Sequence, residues 1–179
     1  MIISITGTPG TGKSHVAKAL AKQLNANLIE IKKLVDTNKV PYIIDKKRQT
    51  KTVEIKELQK AVNKNIVKGK PNIIEGHLSH LLRSDMVIIL RTDPVLLKHR
   101  LKKRKWSEAK IKENHHAEIL GIITQEAMQR SRVFEIDTSR QKPSVVSSII
   151  AKLLNNHSAR KYRVGNIDWS EHYKKELLK

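Results

Sequence analysis

The chain has 179 residues, enough for one compact domain at roughly 150 residues per domain, and a domain of this size buries about 70% of its unfolded surface without disulfides or metals. It carries 36 Lys and Arg against 17 Asp and Glu, a net charge of +19, and no cysteine. Disulfides, thiolate catalysis and cysteine-based zinc sites are therefore excluded, and the field favours polyanionic partners unless it is an adaptation of the surface to heat or salt.

No run of about 18 apolar residues is present, and Met1-Ile2-Ile3-Ser4-Ile5-Thr6 has neither the basic start nor the cleavage site of a signal peptide. A cytoplasmic protein is expected. Ile2 to Thr6 is a β-branched run meeting a Gly-rich turn, the pattern of a buried strand. Val16, Ala17, Leu20, Ala21 and Leu24 follow with helical spacing over Ser14 to Leu24, and Asn27 to Ile31 reads as a second strand. Ile55, Leu58, Ala61, Val62 and Ile66 form one stripe of a helix over Glu54 to Val67. Asn72 to Glu75 and Asp85 to Arg91 are strands. Asp93 caps a helix running to Lys103, with Pro94 at its first position. Lys110 to Arg130 is expected as one long helix, Val133 to Asp137 as a strand, and Pro143 to Asn155 as the helix that closes the domain. Strands that read as continuous apolar runs and alternate with helices predict a parallel sheet covered on both faces. Ligands of such sheets lie at the carboxyl ends of the strands.

Gly7-Thr8-Pro9-Gly10-Thr11-Gly12-Lys13-Ser14 satisfies G-x-x-x-x-G-K-[ST] at every fixed position, between a predicted strand and a predicted helix. Glycines let backbone amides approach phosphate oxygens, and the loop and the helix N-terminus present positive ends to the anion. Lys13 adds a full charge, and Ser14 offers a hydroxyl to Mg²⁺. A nucleoside triphosphate is thus expected with Mg²⁺. Gly10, Gly12, Lys13, Ser14 and the following His15 are the expected loop contacts.

A phosphate loop this close to the N-terminus of a chain of this length resembles the nucleoside monophosphate kinases. The similarity sharpens with Leu28-Ile29-Glu30-Ile31 and Ile44-Asp45-Lys46-Lys47-Arg48, with Ile73-Ile74-Glu75-Gly76-His77-Leu78-Ser79-His80-Leu81-Leu82, with Leu90-Arg91-Thr92-Asp93-Pro94, and with the stretch from Arg100 to Asn114. Together they resemble the archaeal family known as "Putative adenylate kinase", counterpart of the eukaryotic nuclear adenylate kinase that also acts as a ribosome-assembly ATPase. The resemblance implies a three-layer α/β fold of the nucleoside monophosphate kinase type, with a five-stranded parallel sheet. It places this kinase domain over residues 1–156, with a monophosphate-binding insert near 29–53 and a short lid near 99–110, followed by a basic tail over 157–179.

The same resemblance implies the site. Glu75 would hold Mg²⁺ together with Ser14, the alternative being a surface carboxylate at a strand end. His77 would orient a water for ATP hydrolysis or bond the Mg²⁺ shell, or is an ordinary loop histidine. Arg100 matches the lid arginine used on ATP, so that Lys13, Glu75, His77 and Arg100 form the catalytic set. Arg104 lies four residues beyond Arg100, on the same helix face, in a generally basic stretch. Lys142, within Gln141-Lys142-Pro143, would pack on the adenine ring. His80 is left as a packing or surface residue. The family often has Gly where this chain has Lys105, and ordinary adenylate kinases hold the monophosphate with arginines where this chain offers only Arg48 among lysines. The implied reaction is transfer of the γ-phosphoryl group of ATP to AMP or a related monophosphate, with slow ATP hydrolysis. The implied partners are the pre-small ribosomal subunit and its protein S-eleven, with a possible rRNA contact.

The charge is uneven. Residues 32–70 carry +8, residues 91–110 carry +6 and residues 155–179 carry +3, leaving +2 on the other 95. A uniformly adapted surface would spread it more evenly. In the tail, Tyr162, Trp169 and Tyr173 among cations would stack on RNA bases or anchor the tail to the domain. Asp168-Trp169-Ser170-Glu171 is expected to start a short amphipathic helix.

Overall fold

The computed structural model describes residues 1–46, 50–155 and 160–178. Arg48 lies outside them. Strands β1 (Ile2–Thr6), β2 (Asn27–Glu30), β5 (Asn72–Glu75), β6 (Met86–Arg91) and β7 (Val133–Asp137) form one parallel sheet in the order β2-β5-β1-β6-β7. A separate antiparallel hairpin joins β3 (Tyr42–Asp45) to β4 (Thr50–Val53). The helices are α1 (Lys13–Leu24), α2 (Ile31–Asp36), α3 (Ile55–Lys64), α4 (Pro94–Lys103), α5 (Glu108–Ile119), α6 (Ile122–Ala127), α7 (Pro143–Asn155) and α8 (Lys174–Leu177). The three-layer α/β architecture with five parallel strands is as expected, and among the described residues no helix is long and apolar enough to cross a membrane.

The continuous apolar runs have a direct cause. Successive side chains of a strand point to opposite faces, and both faces are covered. Ile73 joins the core beneath α1 and α7 with Ile3, Ile5, Val16, Leu20, Val146 and Ile150. Its neighbour Ile74 joins the opposite core with Ile29, Leu34, Leu58, Val62 and Leu82. Polar residues in β1 interrupt this pattern for a reason. The buried Ser4 hydroxyl donates to the Ser79 carbonyl, and that of Thr6 donates to the carbonyl of His77. Ser79 returns a bond to the Ile5 carbonyl. These bonds lash the turn after β5 to the strand that feeds the phosphate loop.

Four expectations are corrected. The predicted strand to Ile31 stops at Glu30, where α2 begins, and the helix from Glu54 ends at Lys64 rather than Val67. The single helix over Lys110 to Arg130 is two helices, α5 and α6, broken at Gly121. That residue takes φ 62°, and a Cβ there would stand 3.4 Å from the Arg91 guanidinium. The short helix expected at Asp168 is a turn, with the Asp168 carboxylate accepting from the Ser170 amide, and helix begins only at Lys174.

Lys105 is the first residue past the C-cap of α4 and takes φ 56°. Its amide donates to the Lys102 carbonyl. This is the left-handed closing position at which Gly is favoured, because a side chain there costs about 1 kcal/mol or more. Lys105→Gly is therefore expected to raise the thermal midpoint by roughly 2–4 °C, as read by calorimetry. A lowered midpoint would show that the Lys105 side chain contributes more than its backbone costs.

Candidate phosphate-binding site

The phosphate loop is the turn from β1 into α1, at the carboxyl edge of the sheet. Gly12 takes φ 92°, and a Cβ there would meet nothing within 4 Å. The constraint on Gly12 is thus conformational, and it leaves open space above the helix N-terminus. Gly10 is constrained differently, because its missing Cβ would lie 2.7 Å from Leu97 of α4. The base of the predicted lid therefore packs directly on the loop. Leu97, Leu101 and Ile111 form its small core, with Trp106 half-buried against them.

Lys13 is buried, and its Nζ donates to the carbonyls of Gly7 at 2.7 Å and Thr8 at 3.1 Å. Desolvation lowers its pKa to about 8 against the raising influence of Glu75 and Glu118, and the nearby charge of Arg104 lowers it further. Ser14 Oγ donates to Glu75 Oε1 at 3.1 Å. Burial raises the Glu75 pKa, partly offset by Lys13 and the Ser14 bond. A hydroxyl beside a carboxylate is a pair of hard oxygen donors, which suits Mg²⁺ completed by water and phosphate oxygens. Among the described residues no group of three or more His, Cys, Asp or Glu is gathered to hold a metal. Arg100 reaches across from α4, and its guanidinium donates to the Gly10 carbonyl at 3.1 Å. Desolvation and the neighbouring Arg104 lower its pKa.

Lys13, Ser14, Glu75, Arg100, Gly10 and Gly12 therefore converge. His77 joins them from the turn after β5. Desolvation and the charge of Lys13 lower its pKa to about 4, so the ring is neutral at pH 7. His15 stands exposed on the first turn of α1. Lys142 is exposed at the start of α7, where its carbonyl accepts from the amides of Val145 and Val146. Its neighbour Gln141 lines a cleft of about 590 Å³ with Asp93, Leu96, Asp137, Ser139, Arg140 and Trp169.

Two features escaped sequence reasoning: the partners of His80, which takes the packing alternative, and a network of buried charges. His80 is fully buried, its Nδ1 3.0 Å from Thr6 Oγ1 and its Nε2 2.9 Å from Glu126. The second feature is a buried network behind the loop. Arg91 donates to Glu118 from Nε at 2.9 Å and to Glu135 from a terminal nitrogen at 2.9 Å. Glu118 also accepts from the Thr8 hydroxyl of the loop and from the Thr92 amide. The signals were charges inside apolar runs, Arg91 ending β6 and Glu118 preceding Ile119 and Leu120.

Burial lowers the pKa of His80 and His115 as well as that of His77. Below about pH 6.5 the unfolded chain therefore binds more protons than the folded one, and acid favours unfolding. The thermal midpoint is expected to fall from pH 7 to pH 5. A flat profile would contradict the neutral state of these rings.

A family model described as AAA domain matches residues 3–121. A Pyrococcus furiosus protein named "Putative adenylate kinase" is 40% identical over 174 residues, covering 97% of this chain and 93% of its own. One of the same name from Thermococcus onnurineus is 38% identical over 176 residues, covering 98% and 94%. This chain belongs to the "Putative adenylate kinase" family. Among solved structures, shikimate kinase from Acinetobacter baumannii superposes with a TM-score of 0.63 at 15% identity, covering 89% of this chain and 95% of that one. That likeness is one of fold. Family members and fold neighbour alike bear kinase names.

The described part of the tail has a definite course. The described residues 160–178 run over the domain: Arg163 bridges to Phe134 of β7, the Gly165 amide donates to Glu135, and Tyr162 packs on the core. The anchoring alternative thus describes these residues.

Proposed function

We propose that this protein is a nucleoside monophosphate kinase of the adenylate kinase type, transferring the γ-phosphoryl group of ATP reversibly to AMP or a related monophosphate. The observation that carries the reading is the convergence of Lys13, the Ser14–Glu75 pair and Arg100 around one glycine-rich loop. In the forward direction an acceptor phosphate oxygen attacks the γ-phosphorus in line, and the bond to the β–γ bridging oxygen breaks, giving two diphosphates. Lys13 and Arg100 carry the compensating charge for the equatorial oxygens, and no covalent intermediate is formed. Ser14 and Glu75 would hold the Mg²⁺ that neutralises the β- and γ-phosphates. A neutral His77 accepts a hydrogen bond from a water in the same space, which accounts for slow ATP hydrolysis when no acceptor is present. Purified protein with Mg²⁺ and ATP is expected to form more ADP with AMP than alone, in a panel with CMP, GMP, UMP and dAMP. ADP formation equal with and without every monophosphate would overturn the kinase reading.

A second reading is favoured by the placement of charge. Exposed Lys32, Lys33, Lys39 and Lys46 in the insert and Lys102, Lys103 and Lys105 in the lid face solvent near the site. That supports a nucleotide-switched factor in small ribosomal subunit maturation that binds rRNA, with the ribosomal protein S-eleven as the partner implied by the resemblance. Co-sedimentation with small subunits at moderate salt is expected, and its loss without ATP would identify the switch. Absence of co-sedimentation in both states would remove this role.

A further inference from the structure

We propose that Trp169, delivered by the C-terminal segment, forms one wall of the compartment that takes the nucleobase of ATP. The inference rests on the kinase reading for the identity of the ligand. It adds a residue from outside the phosphate-loop core to nucleotide recognition.

The position follows from two hydrogen bonds into the loop. Leu96 lines the cleft from α4. Arg100, one turn and about 6 Å further along the same helix face, is bonded to the Gly10 carbonyl. After β7, Thr138 lies between the lining residues Asp137 and Ser139, and its hydroxyl donates to the Thr11 carbonyl at 2.8 Å. Both groups of lining residues are thus pinned to the loop itself, and the cleft opens beside the phosphate cradle. Its volume of about 590 Å³ is in the range of small-molecule sites, which run from roughly 300 to 1,000 Å³.

The aromatic wall is held from two directions. Tyr173 stands edge-on to Trp169, with ring centroids 6.4 Å apart, and its hydroxyl donates to Asp93 Oδ2 at 2.6 Å. The other oxygen of Asp93 caps α4 through the amides of Val95 and Leu96. On the N-terminal side, the Ile167 carbonyl accepts from Arg91, and the Gly165 amide donates to Glu135. The Trp169 indole nitrogen is buried without a partner among the described residues. It has no open surface toward the cleft, so the carbon framework of the ring meets the ligand. Contact is by stacking or edge packing, which tolerates any base but distinguishes a nucleotide from its bare phosphate chain.

The test separates base from phosphate. In a Trp106→Phe background, where Trp169 is the remaining tryptophan, its emission is expected to change on addition of ADP and to stay constant with inorganic tripolyphosphate. Trp169→Ala is expected to raise the dissociation constant for ATP by about 10- to 100-fold, with tripolyphosphate binding unchanged and Trp169→Phe restoring most of the loss. Unchanged ATP affinity in Trp169→Ala would overturn the proposal. So would an equal loss of ATP and tripolyphosphate, which would mark the tail as a general support. Failure of the unmutated protein to bind ATP would instead overturn the kinase reading.

Discussion

Lys13→Ala is expected to lower the rate of phosphoryl transfer by about 1,000-fold or more, the scale of losing a fixed charge aimed at the transferring oxygens. The structure makes this a clean test of mechanism. Lys13 lies buried against the carbonyls of Gly7 and Thr8, with its pKa lowered to about 8 by desolvation. The folded state therefore bears a cost to keep this charge in place. Removing the ammonium should leave the thermal midpoint unchanged or raise it, while turnover collapses. Steady-state ADP formation, read beside calorimetry, checks both halves. A loss of turnover under tenfold in a folded variant would remove Lys13 from the reaction.

Glu118→Ala is expected to have the largest effect on stability, about 3–5 kcal/mol, or roughly 6–20 °C in thermal midpoint for a chain of this length. The side chain is 1% exposed, and its loss strands several partners. Arg91 keeps Glu135 but loses one of its two carboxylate partners, and the Thr8 hydroxyl and Thr92 amide lose their acceptor. Glu118→Gln retains an acceptor oxygen and should fall between the two. Because Thr8 belongs to the loop, the variant should also raise the KM for ATP. Calorimetry and substrate titration on the same preparations would show this. A stability within about 1 kcal/mol of wild type would mean that the network is dispensable. The exposed Glu57–Lys60 pair on α3 is the natural control, since solvent screens it and its removal should change little.

These expectations draw on different layers of information. The phosphate loop, the cap at Asp93 and strands β5 and β7 were legible to the residue, because each is encoded by neighbours in the chain. The hairpin of β3 and β4 was not read. Its strands are four residues long and largely solvent-facing, with Ile43 75% and Ile44 62% exposed, so they carry little apolar alternation. The break at Gly121 was hidden for the opposite reason. Apolar periodicity runs through it, and the residue that requires a glycine there, Arg91, is thirty positions away.

The candidate site divides in the same way. The spacing of the phosphate loop named Lys13 and Ser14, because that signal is local, while Glu75, His77 and Arg100 were named through the resemblance to the family. Only the tertiary structure decided which of them touch, that His80 is an interior node, and that Glu118 and Trp169 stand next to the loop and the cleft. Periodicity reports whether a position faces the core. It carries no information about which distant partner satisfies a buried charge, and that choice is made where Arg91, Glu118 and Glu135 leave water together.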